Sequence, residues 1–373
     1  MIYLDNAATS FPKPPSVVRE VQRCMTEYCG NPGRGSHKMA LAAAEKIFET
    51  RSLAARLISA PEEERIVFTM NATYALNMAM TGLIKQGSHI LISDLEHNSV
   101  LRPAEHLKRT KGVSYDVFST KGDVCENIRR LIRKNTTAVV CTHASNITNV
   151  CLPIEKIGAM LSGTDILFIV DASQSLGGRK IDMERAGIDV LCATGHKGLL
   201  GPQGIGFAAF SERAMPSPFV YGGSGARSRE LDMPELLPDR LEAGTLPTPA
   251  AAGLCEGIKY VLEMGEERIF QRESDIVKRI HKAFENDRRI SIYSEGEGAV
   301  LLFNIRGVPS QVTAKLLDRE GVCVRPGLHC APLAHNTLGT PEDGAVRVSA
   351  GPLTERWQAE HFNAALRRVL ERL

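Results

Sequence analysis

Segments with helical periodicity alternate with short apolar runs over most of this 373-residue chain. The helical segments lie near residues 37–59, 71–85, 99–110, 123–134 and 153–162. The apolar runs, rich in β-branched residues, cover residues 65–69, 89–93, 114–118, 138–142, 166–170, 190–193 and 205–210. Alternation of this kind is typical of a mostly parallel sheet with helices on both faces. We therefore predict an α/β fold in which residues 16–250 form a large domain around a mostly parallel seven-stranded sheet.

The rest of the chain follows a different pattern. Residues 211–250 are rich in Gly, Pro and Ser, which is typical of a loop, and a long helical segment is predicted near 251–286. After it come strand-like runs and a final amphipathic helix, at 291–293, 299–305, 322–325, 345–349 and 354–373. We predict a small α+β C-terminal domain over residues 251–373, with the N-terminal segment 1–15 packing near it.

Composition and charge exclude several classes of protein. A net charge of +2 over the whole chain forms no basic footprint, so we expect no nucleic-acid partner. The nine cysteines show no CxxC pair and no zinc-like spacing, which predicts reduced thiols, no metal site and a cytoplasmic location. No apolar run is long enough to span a bilayer, and the N-terminus lacks the pattern of a signal peptide. We therefore expect no membrane association.

One lysine and one aspartate mark the ends of two neighbouring apolar runs. Lys197 lies in a Gly-His-Lys-Gly turn after the run 188–192, and Asp171 directly follows the run 166–170. A lysine amine whose pKa is lowered by burial can form a Schiff base with an aldehyde. A carboxylate at the neighbouring strand end can keep a pyridine nitrogen protonated. The pair predicts pyridoxal 5'-phosphate as cofactor; the alternatives are a solvated surface lysine and an aspartate that caps a helix.

Other polar side chains also follow predicted strands. In parallel sheets the ligand lies outside the carboxyl ends of the strands, so these residues are expected to meet at one edge. They are Asn71, Thr73, His97, His143, Asn146, Gln174 and His196. Their convergence predicts a single ligand site.

Longer motifs make the chain similar to a known family. They comprise YLDNAAT at 3–9, residues 31–37 and 68–77, EH at 96–97, SN at 145–146, DASQ at 171–174, the Lys197 turn, LEAGT at 241–245, residues 325–332 and RVS at 347–349. In this order and spacing they resemble the pyridoxal-phosphate-dependent cysteine desulfurases and selenocysteine lyases with a short cysteine-bearing loop, within the class V aminotransferase superfamily. The resemblance runs end to end and implies a large domain like that of fold-type I PLP transferases.

The resemblance implies roles around the cofactor ring. Lys197 is similar to the lysine that forms the Schiff base and later removes the Cα proton of the substrate. Asp171 is similar to the carboxylate that pairs with the pyridine nitrogen. Gln174 matches a glutamine that hydrogen-bonds the phenolic oxygen, and Asn146 is expected near that oxygen and the substrate carboxylate. Alternatively, either amide simply satisfies loop backbone.

His97 matches a histidine that stacks on the ring and relays protons. The alternative is a histidine that satisfies a backbone group at the strand end. Family members often carry a second histidine where this chain has Asn98.

The resemblance also implies how the phosphate is held. Ala72 and Thr73 open a predicted helix whose free N–H groups would face the anion, with the Thr73 hydroxyl added. The family often has a second threonine where Ala72 stands, so one donor is missing. Thr194 and His196 resemble residues that grip the phosphate from the lysine turn, although Thr73 and Thr194 also suit ordinary capping. Thr245 resembles a residue donated by the partner subunit, which implies a homodimer with shared active sites.

A cysteine and an arginine complete the site that the resemblance implies. Cys330 matches a mobile nucleophilic cysteine, in a loop where Arg325 and His329 are expected to add positive charge that favours the thiolate. The alternative is an inert, packed thiol. Arg347 resembles the arginine that binds the substrate carboxylate, and its alternative is a surface ion pair. Two further residues are expected to border the site, His37 and Arg34.

The function implied is that of a cysteine desulfurase. Such an enzyme converts L-cysteine to L-alanine and leaves a persulfide on Cys330 for a sulfur-acceptor protein. The alternatives are a selenocysteine lyase acting on L-selenocysteine, another enzyme of the class V aminotransferase scaffold, and a scaffold protein without turnover. The pathways that the resemblance leaves open include iron–sulfur cluster assembly.

Overall fold

The computed structural model of the protein describes residues 1–33, 35–227 and 229–373, so Arg34 lies outside the described residues. The helices are α1 (Pro15–Arg23), α2 (Lys38–Leu57), α3 (Ala72–Leu83), α4 (Asn98–Lys111), α5 (Val124–Leu131), α6 (Ile154–Leu161), α7 (Thr248–Met264), α8 (Glu266–Phe284), α9 (Ser310–Arg319), α10 (Pro332–Leu338) and α11 (Arg356–Arg372). The strands are β1 (Ile2–Tyr3), β2 (Ile66–Thr69), β3 (His89–Ser93), β4 (Ser114–Phe118), β5 (Thr136–Thr142), β6 (Leu167–Asp171), β7 (Val190–Thr194), β8 (Gly206–Phe210), β9 (Ile290–Ile292), β10 (Val300–Ile305), β11 (Val322–Cys323), β12 (Arg325–Gly327) and β13 (Ala345–Ser349).

The largest sheet has seven strands in the order β2-β8-β7-β6-β5-β3-β4. Strand β8 runs antiparallel to both of its neighbours, whereas the other four pairings are parallel. The prediction of an α/β fold with a mostly parallel seven-stranded sheet is therefore confirmed. Because β5, β6 and β7 are parallel neighbours, their carboxyl ends lie side by side at one edge.

Both faces of this sheet are buried, which explains the nearly continuous apolar runs of its strands. Successive side chains point to opposite faces. Val139 and Phe168 belong to one hydrophobic cluster, while their chain neighbours Val140 and Ile169 belong to another. Helices α2 and α6 contribute to the first cluster, and α3 and α4 to the second.

A second sheet has the order β12-β13-β10-β9 and is antiparallel throughout. Helices α8, α9 and α11 cover it with a separate hydrophobic cluster. The N-terminal segment packs on this part of the molecule, since β1 pairs with β11 and buried Leu4 joins the same cluster. The segment then runs on beside β13, where Asp5 forms a bridge with Ser349.

The predicted long helix at 251–286 is wrong as a single element. It is divided into α7 and α8 at Gly265, whose φ of +79° lies in the left-handed region that favours glycine. Helix α7 packs against α1 and α2, next to the large sheet. Helix α8 belongs to the cluster of the smaller sheet.

No helix in the described part of the chain is long and apolar enough to cross a membrane. Within those same residues, no group of three or more His, Cys, Asp or Glu side chains is placed to hold a metal ion.

Candidate active site

A cavity of about 280 Å³ opens at the edge where β3, β5, β6 and β7 end. Its opposite wall comes from the N-terminal segment and from the region of β12 and β13. Most residues that the sequence predicts for the site line it: Ala72, Thr73, His97, Asn146, Asp171, Gln174, Thr194, His196, Lys197 and Arg347. These side chains come from distant parts of the chain, and the sheet topology brings them together.

Lys197 is half-buried and faces this cavity in the turn after β7. Removal of water from around its amine lowers the pKa of Lys197 to about 8, although the carboxylate of Asp171 opposes that shift. An amine with this pKa is partly unprotonated near neutral pH and can act as a nucleophile or base. The alternative of a fully solvated surface lysine is therefore wrong.

Asp171 is the last residue of β6 and is buried. Its Oδ1 accepts hydrogen bonds from the backbone N–H and the hydroxyl of Ser173, in a chain segment that forms turns. Because no helix begins there, the alternative of a helix cap is wrong.

His97 both lines the cavity and caps a helix, so the two interpretations of this residue hold together. It caps α4, since its Nδ1 accepts a hydrogen bond from the backbone N–H of Ser99 at 3.1 Å. That donor places the proton of the neutral ring on Nε2. Burial lowers the pKa of His97 to about 4, so the imidazole is neutral at physiological pH. The Ser99 hydroxyl links His97 to the hydroxyl of Thr73 through contacts of 2.8 Å.

The start of α3 offers free backbone donors at the same cavity. Asn71 caps the helix and accepts a hydrogen bond from the N–H of Tyr74 at 3.1 Å. Ala72 and Thr73 form the first turn of this helix and line the cavity. The N–H groups of a first turn and the helix dipole favour an anion in this position.

Arg347 lies on β13 and is only 2% exposed. Its Nη1 donates to the Asn146 carbonyl at 3.0 Å, and its Nη2 donates to Asp5 Oδ1 at 2.9 Å. Its Nε has no hydrogen-bond partner among the described residues. The alternative of a surface ion pair is therefore wrong, and part of the guanidinium is left available to a ligand.

Cys330 lies beside the cavity, in the loop between β12 and α10. His329 and Cys330 both have left-handed backbone conformations, with φ of +51° and +56°. The Cys330 carbonyl accepts a hydrogen bond from the N–H of Asn98 at 2.7 Å, and its thiol is exposed. The loop thus stands next to the start of α4 and His97.

The expectation that His329 adds positive charge is wrong. The ring is buried, and burial together with nearby Arg347 lowers the pKa of His329 to about 3. Its Nε2 lies 2.9 Å from the carbonyl of Arg325, to which it donates. The neutral ring holds the loop, and Arg325 is left as the cation of this motif.

The family model described as aminotransferase class-V matches residues 2–362. The chain belongs to this family. A protein of Methanothermobacter thermautotrophicus named probable cysteine desulfurase is 33% identical over 93% of this chain and 89% of its own length. A protein of Pyrococcus abyssi with the same name is 31% identical over 100% of this chain and 95% of its own length. The solved apo structure of a cysteine desulfurase from Thermococcus onnurineus NA1 superposes with a TM-score of 0.91, at 30% identity over 100% of this chain and 95% of that one.

Enzymes of the aminotransferase class-V family use pyridoxal 5'-phosphate, and the cavity residues fit that group. Four buried polar atoms of the cavity lack a hydrogen-bond partner in the described part of the chain: Asn146 Oδ1, Thr194 Oγ1, His196 Nδ1 and Arg347 Nε. Buried polar groups are nearly always hydrogen-bonded, so these atoms indicate a polar ligand. An amine, a carboxylate and a helix N-terminus around one cavity suit the aldehyde, ring nitrogen and phosphate.

The two predicted amides already make one protein contact each. Gln174 Nε2 donates to the Ala7 carbonyl at 3.0 Å, and Asn146 Nδ2 donates to the His329 carbonyl at 2.8 Å. Each amide therefore ties a separate chain segment to the cavity wall. Their roles toward the cofactor stay predictions.

Thr245 does not line this cavity. It borders a second cavity of about 440 Å³ and accepts a hydrogen bond from Asn31 Nδ2 at 3.4 Å. His37 is likewise elsewhere, as the cap of α2. The role of Thr245 toward a partner subunit stays a prediction.

Sequence reasoning missed the part of the N-terminal segment that holds the lysine turn. Lys13 Nζ donates to the His196 carbonyl at 2.9 Å and to Ser10 Oγ at 2.7 Å. Ser10 Oγ also donates to the Lys197 carbonyl at 2.9 Å. Burial lowers the pKa of Lys13 to about 8, so the chain has a second lysine of unusual acidity beside the site. The YLDNAAT motif directly before these residues was the available signal.

Proposed function

We propose that this chain is a cysteine desulfurase that converts L-cysteine to L-alanine and transfers the sulfur to Cys330. The observation that carries the proposal is an exposed thiol beside a cavity that contains a lysine of low pKa and a buried carboxylate. The names of relatives that match this chain over nearly its whole length point to the same activity.

Asp171, Thr194, His196 and the N-terminus of α3 would hold the cofactor. When bound, pyridoxal 5'-phosphate withdraws electrons from the Cα of an amino acid and so makes its proton acidic. The Lys197 amine accepts that proton, since its lowered pKa leaves part of it unprotonated. The free Nε–H of Arg347 binds the substrate carboxylate at this buried position, where a charge-assisted hydrogen bond is strong.

Sulfur transfer requires the Cys330 thiolate to attack the Sγ atom of the substrate. A sulfur–sulfur bond forms as the carbon–sulfur bond breaks, and the electron pair of the broken bond stays with the carbon fragment. The Cβ atom of that fragment gains a proton, Lys197 returns its proton to Cα, and the fragment leaves as alanine while Cys330 keeps the persulfide. No external oxidant is consumed. A sulfur-acceptor protein would then take the outer sulfur atom of this persulfide at the exposed loop.

The test compares Cys330→Ala with Cys29→Ala, a control at another exposed cysteine. We expect Cys330→Ala to abolish alanine formation from L-cysteine and Cys29→Ala to leave it intact. Full activity of Cys330→Ala on L-cysteine would contradict the role of Cys330. Activity of Cys330→Ala on L-selenocysteine alone, with little wild-type activity on L-cysteine, would favour a selenocysteine lyase.

We also propose a homodimer with shared active sites. Large apolar side chains are exposed on the loop before α7, among them Val220, Tyr221, Leu231 and Leu236. This loop borders the cavity that contains Thr245, so a second copy that covers it would bring its own site close to Thr245. Mixing Lys197→Ala chains with Thr245→Ala chains should restore activity, because one site of each mixed dimer has both residues. No recovery in a verified mixed dimer would contradict shared sites.

We propose the two-domain division and the cytoplasmic location expected from the sequence, with one change to the domain boundary. We place the boundary at Gly265 instead of residue 250, because α7 packs with α1 and α2. All nine cysteines lie in the described part of the chain and are unpaired there, which supports a reducing compartment such as the cytoplasm.

A further inference from the structure

Two arginine residues lie opposite each other on neighbouring strands at one end of the cavity. Arg325 on β12 is the direct register partner of Arg347 on β13, so their side chains leave the sheet on the same face. Both line the cavity. Arg325 is half-buried, and its guanidinium has no hydrogen bond or ion pair with any described residue. Like charges opposite each other are unfavourable unless an anion lies between or beside them.

Asp5 supplies the anion. Its Oδ1 accepts the hydrogen bond from Arg347 Nη2 at 2.9 Å, and its side chain is 20% exposed. The Tyr3 hydroxyl donates to the Asp5 carbonyl at 3.1 Å, and Asp5 forms a bridge with Ser349. The carboxylate is therefore held in place by its own backbone, through contacts that a change of its side chain leaves intact.

The remaining titratable groups of the cavity add little charge at this end. Burial keeps the pKa of His97 near 4 and that of His329 near 3, so both rings are neutral. Lys197 and Asp171 serve the cofactor in the function proposed above. Two arginines and Asp5 thus leave one net positive charge, which matches the single carboxylate of an amino acid with an uncharged side chain.

We propose that Asp5 is a specificity determinant that restricts this site to substrates with one carboxylate and rejects amino acids with acidic side chains. The proposal rests on the function proposed above, in which Arg347 binds the substrate carboxylate. The carboxylate of Asp5 repels the single carboxylate of a monoanionic ligand. It repels both carboxylates of a dianionic ligand such as L-aspartate. Only Arg325 is then left to pair with the second carboxylate, because Arg347 already pairs with Asp5 and binds the first.

The experiment measures dissociation constants of L-alanine and L-aspartate by calorimetry on the cofactor-loaded enzyme. Asp5→Asn keeps an oxygen that can accept from Arg347 and removes only the charge. We expect both ligands to bind more tightly to Asp5→Asn, with the preference shifted toward L-aspartate by about tenfold, as expected for removal of one partly screened charge.

Two variants serve as controls. Asp5→Glu keeps the charge and should keep the wild-type preference for L-alanine. Adding Arg325→Gln to Asp5→Asn restores one net positive charge and should return the preference toward that of wild type. Weaker L-alanine binding by Asp5→Asn, or an equal change for both ligands, would overturn the proposal. Equal L-alanine binding by wild type and Arg347→Gln would instead overturn the role of Arg347 in the proposed function.

Discussion

The cavity around Lys197 and the loop around Cys330 prepare two reactive groups in opposite ways. Lys197 stands at the end of a buried strand, where loss of water lowers the pKa of its amine to about 8. Cys330 stands outside on a short loop, held by a backbone hydrogen bond to the start of α4. The enclosed group suits proton transfer, which needs a tuned pKa. The exposed group suits delivery of sulfur to another protein, which needs access. The comparison predicts that the two functions can be removed separately.

Lys197→Ala and Cys330→Ala should have the largest effects. In Lys197→Ala we expect alanine formation from L-cysteine to fall by roughly 10²–10⁴-fold, the usual contribution of a positioned acid–base group. Cys330→Ala, by contrast, should keep the visible absorbance of the bound cofactor while sulfur transfer is lost. Spectra and product assays on both variants measure this. Loss of cofactor absorbance in Cys330→Ala would show that the two regions are not independent.

Thr194→Val should have an intermediate effect, a weaker binding of the cofactor in the cavity. The buried Thr194 hydroxyl lacks a partner in the described part of the protein, and we expect the cofactor phosphate to supply it. Its loss should raise the dissociation constant of pyridoxal 5'-phosphate about ten- to hundredfold, as for a hydrogen bond to a charged group. Fluorescence titration of the cofactor-free enzyme measures this constant.

Thr313→Val is the matched control for that prediction. The Thr313 hydroxyl is equally buried and has no partner among the described residues, but it lies on α9 and does not line the cavity. Cofactor affinity should not change in this variant. An equal weakening in both variants would mean that Thr194 acts only through general stability.

Glu96→Gln should change the pH dependence of stability and leave the cavity chemistry in place. Glu96, the residue before His97 in sequence, is fully buried, and this burial raises its pKa to about 8. The folded protein therefore holds a proton that the unfolded chain loses above its ordinary pKa of 4.5. The stabilisation that protonated Glu96 adds to the fold is complete below pH 4.5, and it falls by about 1.4 kcal/mol for each pH unit up to 8. The backbone N–H of Thr142 donates to Glu96 Oε1, an acceptor that glutamine keeps.

Denaturant unfolding of wild type and Glu96→Gln across this pH range tests that prediction. The free energy of unfolding should fall less steeply with pH in the variant than in wild type. The variant should therefore become more stable relative to wild type as the pH rises. Identical slopes in the two proteins would mean that Glu96 is ionised in the fold.

The sheet and the cofactor end of the cavity could be predicted from sequence because their signals are local. Runs such as 89–93 and 114–118 coincide with β3 and β4. Polar residues placed directly after strands meet at one edge once the strands are parallel, which is why Asp171 and Lys197 were found together.

The substrate end depends on contacts that no local pattern shows. Asp5 and Arg347 are 342 positions apart in sequence yet form an ion pair. The charge of His329 depends on burial, which its loop sequence of Gly, Leu and Cys does not reveal. The break at Gly265 follows from a left-handed conformation that a single glycine permits but does not require.

The most direct test of the account is hydride reduction of the cofactor-loaded enzyme followed by peptide mass spectrometry. Lys13 provides an internal competitor, since its pKa is also lowered to about 8 and it contacts the same turn. The account predicts a pyridoxyl adduct on Lys197 and none on Lys13. An adduct on Lys13 or on any other lysine in place of Lys197, or no adduct at all, would contradict it.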